Sequence, residues 1–305
     1  MAEIRVSAVR SFEIGVTDLA RSIAFYRDVW ALGVVHQDAS SCSLRTTGPE
    51  HHAITIHQRP EIGLVRVALA AADRTTVEAL YRQAQAKGAA MLGEPAPYAG
   101  PGGGYGFACR DVDGREVRIL SDVARHADSV EAKDRPCKLS HVVLNSTDVP
   151  RTTDFWREAF GFRLSDSTSH MNFLRCSTDH HSIAVAGEGS VTLNHTAWEM
   201  PSFDALMYGA GRLKENGYEV GWGVGRHGPG ANIFVYFVEP DGYAIEYTAE
   251  VEQIDERSHK PGTAEDWAKT KIKRPDRWGF AAPPSPKMRE AMHGAAQLAK
   301  QPATA

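Results

Sequence analysis

Residues 11–32, SFEIGVTDLARSIAFYRDVWAL, and residues 141–162, HVVLNSTDVPRTTDFWREAFGF, are one passage written twice, 130 positions apart. Asp18 matches Asp148, Arg21 matches Arg151, Phe25 matches Phe155, and Tyr26 matches Trp156. A second pair recurs at an offset of 128: GPGG from Gly100 with GPGA from Gly228, and DVDGREVRI from Asp111 with EPDGYAIEY from Glu239. Two such pairs in the same order read as duplication of a unit of about 125 residues.

Each copy reads alike. An alternating strand comes first, and Thr17-Asp18 or Thr147-Asp148 then caps an amphipathic helix with its aromatic residues on the inner face. Extended runs follow, in the second copy around Phe173 to Arg175 and Ser182 to Ala186. A further helix is expected from about Ser202 to Asn216, stopped by Gly217. The last two strands are joined through Pro240-Asp241-Gly242, whose Asp-Gly supplies hairpin turn chemistry. The expected divisions are a first domain over 1–128, a polar linker over 129–137, a second domain over 138–250 and an extension over 251–305. The extension shifts to Pro, Lys and Ala; a short helix is expected near Pro286 to Leu298, with too little apolar content for a core of its own.

A chain of 305 residues fits this division, since domains run to ~150 residues each. With 42% apolar residues it can fill ordinary cores. The net charge of -4 gives no reason to expect a nucleic-acid partner, and the basic run Lys271-Ile272-Lys273-Arg274 reads as solvated surface. No segment approaches the ~18 continuous apolar residues of a membrane helix. The opening MAEIRVSAVR has charges but no apolar stretch, so it is not read as a secretory signal. Cys42, Cys109, Cys137 and Cys176 lack CxxC spacing and read as thiols of a reducing cytoplasm.

The candidate chemistry lies in the second copy. His141, His195 and Glu246 each stand mid-strand in an apolar stretch, in LSHVVLN, TLNHTAW and GYAIEYT. Facing one another across a curled sheet, two imidazoles and one carboxylate form a face that binds Fe(II) and leaves other positions open. Strand parity puts His141 on a face with Val143 and Asn145, His195 with Ala197, and Glu246 with Ala244. The small alanines are expected to leave room for a ring, while Val142, Ile245 and Tyr247 pack under the helices. The first copy lacks the set: Ser11 stands opposite His141, Arg118 opposite Glu246, and Arg66 near the place of His195. It is read as an empty scaffold. His51, His52 and His57 have no acidic partner in register and are read as surface or core residues.

One run is more specific: Gly225-Arg226-His227, then Val235-Tyr236, then Glu239-Pro240-Asp241-Gly242, then Glu246. It resembles the signature of the type I extradiol ring-cleavage dioxygenases of the vicinal-oxygen-chelate superfamily. That signature is Gly-x-His, seven residues, an aliphatic residue plus Tyr, two residues, an acidic residue plus Pro, x-Gly, three residues and Glu. Every constrained position is filled, and the resemblance covers roughly residues 5 to 250.

The resemblance implies an α+β fold of paired βαβββ modules, two per domain, each domain curling into an open barrel. In the second domain the modules are expected near 138–190 and 191–250. It implies Fe(II), with Mn(II) also suited, held by His141, His195 and Glu246. All three lie in one copy, whereas glyoxalase-type relatives draw ligands from both repeats of a pair. His181 is implied as acid and base, in preference to its neighbour His180, which points the other way on a strand. Tyr236 and His227 are implied as hydrogen-bonding partners of the substrate or of oxygen; Pro240-Asp241-Gly242, despite lying in the signature, is read as turn chemistry only. Trp198 reads either as a pocket wall or as a core residue, and Trp267, Trp278 and Phe280 as candidate lid groups.

The implied activity is extradiol (meta) cleavage of a catechol, with both atoms of O2 entering a 2-hydroxymuconic-semialdehyde-type product. The partners are then a small aromatic diol and O2, without nucleic acid or membrane, in a homo-oligomer. The rival readings are a 4-hydroxyphenylpyruvate-dioxygenase-like or lyase member using the same triad, and a non-catalytic aromatic-binding resistance protein.

Overall fold

The computed structural model describes residues 4–126, 134–270 and 276–298. Most of the expected linker and the basic run ending at Arg274 therefore lie outside the described residues. The first copy runs β1 (Ala8–Val16), α1 (Leu19–Ala24), β2 (Gly33–Gln37), β3 (Ser41–Arg45) and β4 (Ile54–Gln58). It continues with β5 (Gly63–Ala70), α2 (Arg74–Ala86), β6 (Ala90–Met91), β7 (Ala96–Pro97), β8 (Tyr105–Arg110) and β9 (Glu116–Ser121). The second copy runs β10 (Lys138–Asn145), α3 (Val149–Phe160), β11 (Arg163–Ser167), β12 (Met171–Arg175) and β13 (Ile183–Ala186). Then come β14 (Leu193–Glu199), α4 (Phe203–Glu215), β15 (Trp222–Arg226), β16 (Ile233–Val238) and β17 (Ala244–Ala249). The extension carries α5 (Ala264–Lys269), α6 (Pro286–Met292) and α7 (Ala295–Leu298). The second copy is thus two successive βαβββ modules, as the resemblance implies.

The caps expected from sequence form. Asp18 and Asp148 accept from the backbone N–H three residues on, and Ser202 caps α4 in the same way. Each copy makes one open sheet, ordered β2-β3-β4-β1-β5-β9-β8-β6 in the first and β11-β12-β13-β10-β14-β17-β16-β15 in the second. In both, the two leading strands of the modules pair antiparallel at the centre, and each is flanked by the parallel last strand of a module. The sheet curls around the residues on one face, and the other face packs against helices.

A continuous apolar core underlies both copies. Val142, Ile245 and Tyr247 belong to it, on the face expected. Trp198 belongs to it too, which settles its reading as core. Trp30 of the first copy stacks on Tyr247 of the second at 3.7 Å between ring centroids. The contact between copies is reciprocal. Ser22 donates to Asp241 Oδ2 at 2.6 Å, and its counterpart Thr152 donates to Asp113 Oδ2 at 2.8 Å. Arg21 adds an ion pair to Asp241 at 2.8 Å. Asp241 therefore does more than make a turn: it ties the two copies together. Among the described residues no helix is long and apolar enough to cross a membrane.

Candidate metal centre

His141 on β10 and Glu246 on β17 both stand opposite Ala197, one on each side of β14, and His195 lies two residues along the same face of β14. The register thus draws a triangle over three adjacent strands. His141 Nε2 lies 3.3 Å and His195 Nε2 3.4 Å from Glu246 Oε2. Among the described residues these three form the one group whose ligand atoms all lie within 4.8 Å of each other.

Two bulges aim the histidines. The β10–β14 pairing slips between Leu139 and His141 and again between Val143 and Leu144, which inserts Ser140 on one strand and Asn194 on the other. Each inserted residue holds the Nδ1 atom of the histidine beside it. Asn194 Oδ1 lies 2.6 Å from His195 Nδ1, and Ser140 Oγ lies 3.2 Å from His141 Nδ1. A carbonyl oxygen can only accept, so His195 Nδ1 bears the proton and Nε2 presents its lone pair. Neither Ser140 nor Asn194 was singled out in the sequence, although both sit next to a candidate ligand.

Glu246 is fully buried. Its Oε1 accepts from Asn232 Nδ2 at 3.2 Å, and Asn232 also donates to Thr248 Oγ1 at 2.7 Å. Its Oε2 has no hydrogen-bond donor among the described residues. Burial opposes ionisation of Glu246, but His141 and His195 outweigh it and hold the carboxyl below its ordinary range. A buried carboxylate oxygen without a donor costs at least about 1–3 kcal/mol. A divalent cation held by Glu246, His141 and His195 would relieve that cost, and such nitrogen and oxygen donors suit Fe(II) or Mn(II).

The triangle opens into a cavity of about 760 Å³. His181 lines it with its ring 4.1 Å from that of His141, and burial, reinforced by His141, drives its pKa well down. His180 is turned away, its Nε2 3.0 Å from Asp166 Oδ2. Tyr236 stands edge-on to His195, its ring centroid 5.2 Å away, and its hydroxyl lies 3.0 Å from His227 Nε2. Burial, with the charge of Glu246, pushes the Tyr236 phenol well up, so it stays protonated. His227 stacks on Phe234 at 3.9 Å. All six residues singled out in the sequence therefore gather at one site. Val143, Met171, Phe173 and Trp222 make its apolar walls.

Two expectations need correction. Neither Ala197 nor Ala244 lines the cavity: Ala197 is the floor beneath the triangle, and the space beside Ala244 is taken by Met288 of α6. Of the three candidate lid residues only Trp267 lines the cavity, while Trp278 and Phe280 point outward and are 44% and 87% exposed. The extension also sends Met292 and Arg277 to the cavity wall.

Residues 8–119 and 138–247 each match the family model described as the Glyoxalase/Bleomycin resistance protein/Dioxygenase superfamily. The chain belongs to that superfamily. A crystal structure of a Mn(II)-bound glyoxalase from Novosphingobium aromaticivorans is 39% identical, with a TM-score of 0.86 over 93% of this chain and 94% of that one. Metapyrocatechase 2 of Cupriavidus necator is 36% identical over 122 residues, which is 39% of this chain and 38% of that protein. An iron-dependent extradiol dioxygenase of Rhodococcus jostii (strain RHA1) is 26% identical over 136 residues, 39% of this chain and 45% of that protein. The chain thus spans less than half the length of these two curated relatives.

In this superfamily member the two matched copies have diverged at the centre of the sheet. Arg66 pairs with Glu13 across β1 and β5 as His195 pairs with Val143 across β10 and β14, so the loose alignment of Arg66 with His195 holds. Arg66 also forms an ion pair with Glu116 at 2.8 Å, and His57 bonds Glu13 at 2.6 Å. The expectation that His57 lacks an acidic partner is therefore wrong; the partner comes from a neighbouring strand. Ion pairs occupy the first copy where the second gathers its three donors.

Proposed function

We propose that this chain is an extradiol ring-cleavage dioxygenase. It inserts both atoms of O2 into a catecholic ring beside the diol and yields a 2-hydroxymuconic-semialdehyde-type product. The observation that carries this reading is Glu246 Oε2, buried without a donor among the described residues, between two imidazoles of the same copy that line an aromatic-walled cavity. The names of the two curated relatives support it. His141, His195 and Glu246 hold the metal, Fe(II) by preference; the Mn(II) of the solved relative keeps manganese in play.

A divalent metal held by these three residues would supply Lewis acidity toward a catechol and a path for electrons to O2. The remaining work belongs to side chains. His181, neutral because it is buried, accepts a proton from a catechol hydroxyl and returns it to a product oxygen. Tyr236, still protonated, donates a hydrogen bond to a substrate oxygen, and His227 orients the Tyr236 hydroxyl. Phe173 and Trp222 flank the ring and exclude water.

Anaerobic loading with Fe(II), followed by a panel of catechols in an oxygen-electrode cell, tests the proposal. One O2 consumed per catechol, with both labelled atoms from 18-oxygen gas in a ring-opened product, is expected. A metal-loaded protein that leaves O2 untouched with every catechol overturns it. A second reading, a glyoxalase-type reaction that consumes no O2, is favoured by the solved relative that matches along nearly the whole chain. The same cell separates the two.

A further inference from the structure

His181 does not stand alone. Its Nδ1 lies 3.1 Å from His180 Nδ1, and His180 Nε2 lies 3.0 Å from Asp166 Oδ2. All three side chains are buried. We propose that Asp166 and His180 are positioning residues that fix which nitrogen of His181 carries its proton, leaving the nitrogen available to substrate free to accept one. This deepens the reading above, in which His181 moves the substrate's proton.

The polarity follows by elimination. An ionised carboxylate only accepts, so His180 Nε2 is the protonated nitrogen facing Asp166. In the proposal His180 carries that one ring proton, so its Nδ1 accepts, and His181 Nδ1 supplies the hydrogen in the contact between the rings. His181 Nε2 is left with its lone pair, on a ring that lines the cavity. Asp166 is itself pinned, because its Oδ1 accepts from the Gly262 N–H at 2.6 Å and Gly262 O receives the Ser167 N–H at 2.8 Å.

The first copy supplies an internal comparison. HHAITI from His51 repeats HHSIAV from His180 at an offset of 129, and His51 Nδ1 lies 3.0 Å from His52 Nδ1. The strand register sets His36 against Ser43 where the second copy sets Asp166 against Phe173, so His36 holds the place of Asp166. The histidine pair is therefore common to both copies. The carboxylate that gives it direction stands only in the copy that holds the donor triangle.

Asp166→Asn should reverse the chain. The Gly262 N–H keeps the amide oxygen, which turns the Asn amide nitrogen toward His180 Nε2. That nitrogen must then accept, so His180 Nδ1 donates and His181 is left protonated on Nε2. Long-range proton–nitrogen correlation on 15N-histidine-labelled full chain, loaded with diamagnetic zinc(II), reads the tautomer; His181→Phe identifies the signal. Nδ1–H on His181 is expected in the parent and in Asp166→Glu, and Nε2–H in Asp166→Asn. In the Fe(II) enzyme, Asp166→Asn should lower kcat about 100-fold while KM stays within about twofold. Nε2–H in the parent, or an unchanged tautomer in Asp166→Asn, overturns the proposal; if Asp166→Asn fails to fold, the parent and Asp166→Glu spectra still decide it. The tautomer is read without turnover, so a protein inert toward catechols sinks the parent reading and leaves this assignment to its own spectrum.

Discussion

Glu246 gives one oxygen to Asn232 and turns the other, without a donor among the described residues, toward two imidazoles. Glu246→Gln removes the charge that balances the cation, so metal content measured by plasma mass spectrometry should fall at least about tenfold, with activity falling alongside. His181→Phe should keep the metal and lose about 100-fold or more in kcat; loss of the metal instead would make His181 a ligand. Glu239 poses a different residue-scale question. Burial, with Asp241 nearby, raises its pKa from an ordinary 4.5 to about 8. A carboxyl raised on folding stabilises the protein fully below its unfolded pKa, and that stability is lost as pH rises through the folded value. Between about pH 5 and pH 8 the parent should therefore lose more stability in urea titrations than Glu239→Gln does. Equal losses would show that Glu239 ionises freely in the fold.

At the scale of elements, the site depends on irregular pairing. The bulges in β10 and β14 insert Ser140 and Asn194 beside the two histidines, and these inserted residues hold the imidazoles. Helix α6 packs on the face of the sheet that carries Tyr236 and Glu246. Its Met288 is fully buried with Phe234, Tyr236 and Ala244. Met288→Ala should cost about 2–4 kcal/mol in urea unfolding, the usual range for emptying a packed site. Tyr236 belongs to the same cluster, so KM for the diol should rise in that variant, which a saturation curve will check.

The whole molecule is two copies of one design that clasp each other and differ at their centres. Asp241 of the second copy receives Arg21 and Ser22 of the first, and Asp113 of the first receives Thr152 of the second. Asp241→Ala removes the charged acceptor that Arg21 and Ser22 share, while Ser22 keeps Asp18 O, and should cost about 1.5–3 kcal/mol in a denaturant titration. The first copy fills its centre with Glu13, His57, Arg66 and Glu116 in mutual ion pairs. Metal analysis of the loaded chain should therefore give one ion per chain, and Glu246→Gln should leave no second site behind.

The duplication and the three residues that gather in the second copy were legible in the sequence, and the resemblance supplied the βαβββ order. Offsets, alternation and caps are local properties, and a repeat carries its own alignment. Strict alternation, however, puts Asn194 on the face opposite His195, and only the bulge brings it alongside. Asp166 reaches His180, Gly262 reaches Asp166, and His57 reaches Glu13 across strand pairings or loops that no spacing encodes. The extension has too little apolar content for a core of its own, and Met288 and Met292 instead complete one begun by the sheet. Identity along the chain decides which groups are present. Register, bulges and the docking of distant segments decide which atoms meet, because a single inserted residue reverses the face to which a strand turns its side chains.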